Sequence, residues 1–459
     1  MAASGVASAQ PAASAPADPV RPLSTPILSV RRVPAWTDDT LARQRLDVAL
    51  SAATAGPLVQ SKVPACVLVS QDGDDLFALD PTAELMPASN EKLLTGTAAL
   101  AALGPGYHFT TEVASRSRPA GGVITGDLYL AGGGDPDLMT AAYDATLFYP
   151  EPTYTSLDQL AAAVKAAGIT AVTGSVVGDG SRYDSLTAVP TWSPVYEAEG
   201  DVGPLGGLEV DDGTPAPPVP GQPLPPRPSD PARSAAAIFT ARLEADGVKV
   251  RGPATVGSTP GGTVTLAREA SPSLGEMVEQ MERVSDDTAA ELLTKELGKR
   301  LSGQGSTTVG LATIRRYLAA AALPVGEWTG LDGSGLDRGD RASCRLITAV
   351  VAQAGPSSVL ADGLPVADRT GTLTNRLAGT PAAGRVHAKT GTLVDVAALS
   401  GFVVPPATVP TPALAGPVYF SIIINGMDSR VSAPLTDRIA AVIAAYPQAV
   451  LLRQLGPEP

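Results

Sequence analysis

The chain has 459 residues, 44% hydrophobic and 17% charged, which allows a large core in two or three domains and excludes disorder throughout. Its 33 Lys+Arg against 46 Asp+Glu leave a net charge of −13, which argues against a basic groove for nucleic acid. Two histidines, His108 and His387, and two cysteines, Cys66 and Cys344, are too few for a zinc module, so no metal and no cofactor is expected.

Residues 1–28 are rich in Ala, Pro and Ser, with neither a basic start nor an apolar stretch, and are expected to be a disordered leader rather than an export signal. On that reading the protein is cytoplasmic, or its signal was removed before this numbering begins. No run of 18 apolar residues occurs, so no transmembrane segment is expected. Val63 to Asp80 predicts two strands around Asp72-Gly73-Asp74, with Val67, Val69, Phe77 and Leu79 alternating. Ser89 to Leu103 has helical spacing and is closed by Gly104-Pro105. From Thr111 to Thr265 the pattern changes to strands punctuated by glycine, with helices over Ser156–Ala167 and Asp230–Asp246. Within it, Thr214 to Pro231 holds nine prolines and reads as a polyproline-like surface connector, the least ordered internal segment.

After Ser271 helices return over Leu274–Arg283, Thr288–Leu297 ending at Gly298, and Val309–Ala321. Arg385–Leu393, Val396–Val404 and Val418–Asn425 are strands, and Arg438–Ala445 is a closing helix. Strands near both ends of the chain imply one sheet sewn together from both. Cys66 and Cys344 are compatible with one disulfide or with two separate buried thiols; the thiol reading is preferred, because sequence separation gives no Cα distance.

Three short motifs carry chemistry. Ser89-Asn90-Glu91-Lys92 puts a hydroxyl and an amine on one helix face, a nucleophile beside a base, although it also reads as a plain helix cap. Ser285-Asp286-Asp287 falls in a predicted loop between two helices, and Lys389-Thr390-Gly391-Thr392 in a late strand whose edge could line a cleft. His387, with no acidic partner evident, reads as structural, and Gly132-Gly133-Gly134 as a turn and not a nucleotide loop. Each motif alone is weak. In this order and setting they form the arrangement of the penicillin-interacting serine acyltransferases.

The chain resembles one branch of these, the D-alanyl-D-alanine carboxypeptidases/endopeptidases of peptidase family S13, the class C low-molecular-mass penicillin-binding proteins. The resemblance covers nearly everything after residue 60. It includes the long insertion after the first motif, Gly126-Asp127-Leu128-Tyr129-Leu130, Gly174-Ser175-Val176-Val177-Gly178-Asp179, Asp332-Gly333-Ser334-Gly335-Leu336 and Gly371-Thr372-Leu373. It implies an α/β (α+β) fold of the DD-peptidase/β-lactamase-like type, an antiparallel sheet flanked by helices. The peptidase domain is expected over 29–110 and 268–459, with a β-rich insertion at 111–267 carrying the connector 214–231.

By the same resemblance Ser89 is the acylated nucleophile, Lys92 its base, and Ser285 the proton relay to the leaving D-alanine. Lys389 with Thr390 receives the substrate carboxylate, Asp287, Gly391 and Thr392 are further substrate-binding residues, and the N–H groups of Ser89 and Thr392 hold the oxyanion. Ser334 lines the cleft and Arg338 stands near the peptide side-chain pocket. Peptidoglycan peptides and β-lactams are the implied partners, and the place of action is extracytoplasmic, in periplasm or cell wall. One departure matters: the family's S-x-N motif ends here in Asp287, which donates no hydrogen bond and would stabilise a charged Lys92. A weakly active or non-catalytic wall-binding homologue is therefore the alternative reading, with a β-lactamase or esterase a narrower third. The sequence assigns no oligomeric state.

Overall fold

The structure, a computed structural model, describes residues 33–149, 153–406 and 416–447. The leader expected over 1–28 lies outside them, as do residues 448–459. Helix α1 (Val33–Thr54) precedes the predicted hairpin of β1 (Ala65–Gln71) and β2 (Asp74–Leu79). Strand alternation splits β1 between two cores: Val67 and Val69 face Leu46, Leu50 and Phe77, whereas Cys66 and Leu68 face the opposite side. A 3-10 turn at Ala88–Asn90 leads into α2 (Glu91–Leu103), which stops at Gly104 with φ 83°.

The chain then builds a second, mixed sheet from β3 (Thr110–Ser115), β4 (Leu128–Ala131), β5 (Val176–Asp179), β6 (Thr255–Val256) and β7 (Val264–Ala270), in the order β6-β5-β4-β3-β7. Its first and last strands pair antiparallel, Ser115 opposite Val264 and Thr110 opposite Ala270, so the chain enters and leaves this sheet side by side. Helices α3 (Leu157–Ala166) and α4 (Pro231–Ala245) cover it through Leu160, Phe239 and Leu243. The proline-rich stretch before α4 holds no helix or strand, and Arg227 ties it back to the Asp212 carbonyl and the Thr214 hydroxyl.

Helices α5 (Leu274–Val284), α6 (Asp287–Ser302), α7 (Thr307–Ala320) and α8 (Cys344–Ala354) follow, then β8 (Val386–Leu393), β9 (Val396–Val403), β10 (Val418–Asn425) and α9 (Ser429–Ala444). The main sheet runs β8-β9-β10-β1-β2, antiparallel throughout, and its β10–β1 seam (Ile424 opposite Ala65) joins the two ends of the chain. α1 and α9 pack on one face, with Leu50, Ile422, Ile439 and Ile443 buried between them. On the other face Leu93, Leu94, Met277, Leu293 and Ile347 join α2, α5, α6 and α8. The fold is mixed α+β.

Three expectations need correction. α6 does not end at Gly298 but runs on to Ser302, and Gly303 closes it with φ 76°. Gly298 is glycine because a Cβ there would lie 2.5 Å from the Gln304 carbonyl and 3.0 Å from the Gly310 nitrogen, where α6 meets α7. The last helix starts at Ser429, not Arg438, and contains Pro434, a residue that removes one helical hydrogen bond and so suggests a later start. Cys66 of β1 and Cys344 of α8 are not separate thiols: their Cα atoms stand 5.9 Å apart and the sulfurs are bonded, clipping an inner strand of the main sheet to the helix layer. Replacing both by Ser is expected to lower stability by about 2–4 kcal/mol. Denaturant midpoints of the oxidised, reduced and substituted proteins test this, and three equal midpoints would contradict it.

Candidate active site

Lys92, in the first turn of α2, is fully buried and its amine is held from two sides. It donates to Asp287 Oδ1 at 2.5 Å and to the Ser334 carbonyl at 2.8 Å. Ser89, one turn earlier, is half-buried, and among the described residues its Oγ makes no hydrogen bond.

The second motif is a corner rather than a loop. α5 ends at Ser285 in the left-handed region (φ 69°), Asp286 caps α6 by accepting from the Ala289 N–H at 2.8 Å, and Asp287 is already the first residue of that helix. The corner sends Ser285 and Asp287 to different lysines. Lys389, buried on β8, donates to Ser285 Oγ at 2.8 Å and to the Thr390 carbonyl at 3.1 Å, while Asp287 takes Lys92. The three motifs therefore meet in one place.

Strand β8 is the edge of the main sheet. Its Ala388 N–H points outward and is taken by the Pro365 carbonyl at 2.9 Å. By the two-residue period of a strand, the N–H groups of Thr390 and Thr392 point to the same edge, past the end of that pairing, while the Ala88–Asn90 turn approaches the strand at Gly391. Gly391 allows the approach: a Cβ there would lie 2.7 Å from the Pro87 carbonyl, and Asn90 Nδ2 reaches the Lys389 carbonyl at 3.4 Å.

Burial, reinforced by the neighbouring Lys92 charge, pushes Lys389 down to about 7, while Glu282 and Asp287 oppose the shift. Burial likewise raises Glu282 to about 7, with the two lysines opposing. Burial also raises Asp287, and Lys92 offsets part of that. The site is thus a set of two lysines and Glu282 withdrawn from water, with Asp287 beside them partly exposed.

The remaining expected residues are distributed unevenly. Thr390 is buried and shares a hydrogen bond of 2.8 Å with Thr372, and Thr392 is exposed at the strand end. Ser334 does not open its side chain to a cleft; it is fully buried, its hydroxyl has no partner among the described residues, and it meets Lys92 through its carbonyl. Arg338 is exposed and pairs with Asp395 at 2.9 Å. His387 stacks on Phe402 with ring centroids 4.9 Å apart. Glu282 and the pairing of Thr372 with Thr390 are absent from the motif reading. The repeated Thr-Gly-Thr-Leu at residues 370–373 was a legible signal for Thr372; for Glu282 the sequence holds none beyond its place one turn before Ser285.

The model of the D-Ala-D-Ala carboxypeptidase 3 (S13) family matches residues 43–222 and 219–446. The chain is 30% identical over 490 aligned residues to the D-alanyl-D-alanine carboxypeptidase of Actinomadura sp. (strain R39), covering 90% of this chain and 87% of that one. It is 30% identical over 373 residues to carboxypeptidase DacB of Mycolicibacterium smegmatis, covering 79% and 78% respectively. Among solved structures, penicillin binding protein 4 (dacB) from Haemophilus influenzae superposes with a TM-score of 0.70 at 21% identity, over 86% of this chain and 98% of that one, a likeness of fold. With its motifs meeting at one site and the family model spanning most of its length, the chain belongs to the D-Ala-D-Ala carboxypeptidase 3 (S13) family, a family of hydrolases.

Proposed function

We propose that the protein is a serine-type D-Ala-D-Ala carboxypeptidase/endopeptidase that cleaves peptidoglycan stem peptides through an acyl-enzyme on Ser89 and is acylated by β-lactams. The observation that carries this reading is the meeting of Lys92, Ser285 and Lys389 within hydrogen-bonding reach of one corner and one strand edge. Ser89 Oγ attacks the carbonyl of the penultimate D-alanine, and its proton passes to Lys92 when that amine is neutral. The tetrahedral oxyanion lies between the N–H groups of Ser89 and Thr392. Ser285 delivers the proton to the leaving D-alanine, whose carboxylate is held by Lys389 and Thr390. Water then attacks the ester and frees the peptide acid and Ser89.

The reading assigns this chemistry to a peptidase domain at 29–110 and 268–459, with 111–267 inserted; the adjacent exit and entry strands β3 and β7 support that division. It places the protein outside the cytoplasm, in keeping with a buried disulfide. Among the described residues no helix is long and apolar enough to cross a membrane. One observation favours a second reading, a wall-binding homologue of low activity: the amine of the base is occupied by Asp287.

Release of D-alanine from a D-Ala-D-Ala peptide, lost when Ser89 is blocked by penicillin, tests the first reading; binding without release favours the second. Substrate affinity should depend on pH through Lys389. About half of its charge is present at pH 7 and the rest is lost above it, so the charged fraction falls about five-fold between pH 7 and pH 8. KM is expected to rise by that factor for peptides ending in a free carboxylate. A KM constant across this range would show that Lys389 does not hold the carboxylate by charge.

A further inference from the structure

Glu291 lies on α6 one turn after Asp287, on the same helix face, and is fully buried. Its Oε1 accepts from the Gly333 and Ser334 N–H groups, both at 2.8 Å. These two peptides belong to the segment 332–337, whose other anchors are also polar and buried. Asp332 Oδ1 accepts from the Gly335 N–H at 2.7 Å, its Oδ2 accepts from the Asp337 N–H at 2.6 Å, and Thr95 Oγ1 donates to the Gly333 carbonyl at 2.8 Å. The segment ends up presenting the Ser334 carbonyl to Lys92 Nζ.

A neutral lysine amine has two N–H groups and one lone pair at the corners of a tetrahedron. Asp287 Oδ1 and the Ser334 carbonyl are placed to take the two N–H groups, which fixes the third corner for the lone pair. A base whose lone pair is not aimed cannot accept the serine proton, and a misplacement of about 1 Å costs roughly 10- to 100-fold in rate. One face of α6 therefore governs both acceptors, Asp287 directly and Glu291 through the 333–334 peptides.

We propose that Glu291 is a positioning residue for the Lys92 base, acting through the Ser334 carbonyl to orient the amine toward Ser89. The proposal rests on the assignment of Ser89 and Lys92 above. Burial, together with the nearby Asp332 charge, pushes the Glu291 carboxyl up to about 8, so at neutral pH it is mostly a neutral acid that accepts through its carbonyl oxygen. Glutamine reproduces that acceptor at the same reach; aspartate keeps an acid but is one methylene too short.

The test compares acylation of the full chain, Glu291→Gln and Glu291→Asp by a fluorescent penicillin, recording both the labelled fraction at saturation and the rate constant of the active fraction. A role limited to packing would change the melting temperature and the labelled fraction while leaving the rate constant alone. The expected result is a rate within about three-fold of the native one for Glu291→Gln and at least ten-fold lower for Glu291→Asp, with saturation reached in both. An aspartate variant as fast as the glutamine variant overturns the proposal. Failure of the native chain to label at all instead removes the assignment of Ser89 on which it rests.

Discussion

Ser89→Ala is expected to abolish covalent labelling by a fluorescent penicillin, with the protein still folded. The hydroxyl belongs to a half-buried residue and makes no hydrogen bond among the described residues, so its removal breaks no bond that the fold depends on. Lys92, by contrast, is tied to Asp287 and Ser334, and Lys389 to Ser285 and Thr390. Removing an unbonded, half-buried hydroxyl should change stability by about 0.5 kcal/mol or less, so loss of labelling reports chemistry and not unfolding. Labelling that persists in the folded variant, mapped to another serine, would remove the proposed nucleophile.

Asp287→Asn is expected to acylate faster, by roughly ten-fold or more, since one favourable contact with the charged form of the base worth about 1.4 kcal/mol already corresponds to that factor. The carboxylate lies 2.5 Å from the Lys92 amine, and an ammonium held by a carboxylate has no lone pair with which to take the Ser89 proton. Asparagine keeps the side chain's size and its acceptor oxygen while removing the charge and adding a donor. The same change has a cost at the other lysine. Asp287 and Glu282 are the two groups that hold Lys389 charged against burial, so the variant should lose that charge at lower pH and bind carboxylate-bearing substrate more weakly at neutral pH. Acylation rate and affinity should therefore move in opposite directions, a split that single-turnover kinetics at several substrate concentrations resolves. An asparagine variant that is equally fast or slower would mean that Asp287 takes part in the proton transfers itself.

The order of the three motifs was legible because each sits at a local structural signal: a turn entering a helix, a helix-to-helix corner, a strand edge. Alternation and apolar runs likewise located β1, β2, β8, β9 and β10 to within a residue or two. What periodicity could not show was why a residue occupies its place. Gly298 looked like a helix stop, and its reason is the contact with α7, which lies outside its own segment. Pro434 hid the start of α9 because a proline inside a helix breaks a local rule that tertiary packing overrides. α8 was legible in principle, since Ser343, Leu346, Ile347, Val350, Val351 and Gly355 spell a capped amphipathic helix. The disulfide was beyond reach for a different reason: only the fold brings β1 and α8 together across 278 residues.

The same division holds within the site. Serines and lysines announce themselves by motif, and the departure at Asp287 was visible as a missing asparagine. Its pairing with Lys92 was an inference from charge that the geometry bears out. Ser334 was singled out for its side chain, yet its backbone carbonyl makes the contact, and no sequence pattern distinguishes the two. Glu282 and Glu291 carry no motif because their importance comes from burial next to groups distant in sequence.

The most direct measurement is the intact mass of the protein after incubation with a penicillin, followed by peptide mapping of any adduct. The account predicts one added acyl group per chain, on Ser89, formed slowly and formed faster in Asp287→Asn. An unmodified mass after prolonged incubation in both forms, or an adduct on a residue other than Ser89, would contradict it.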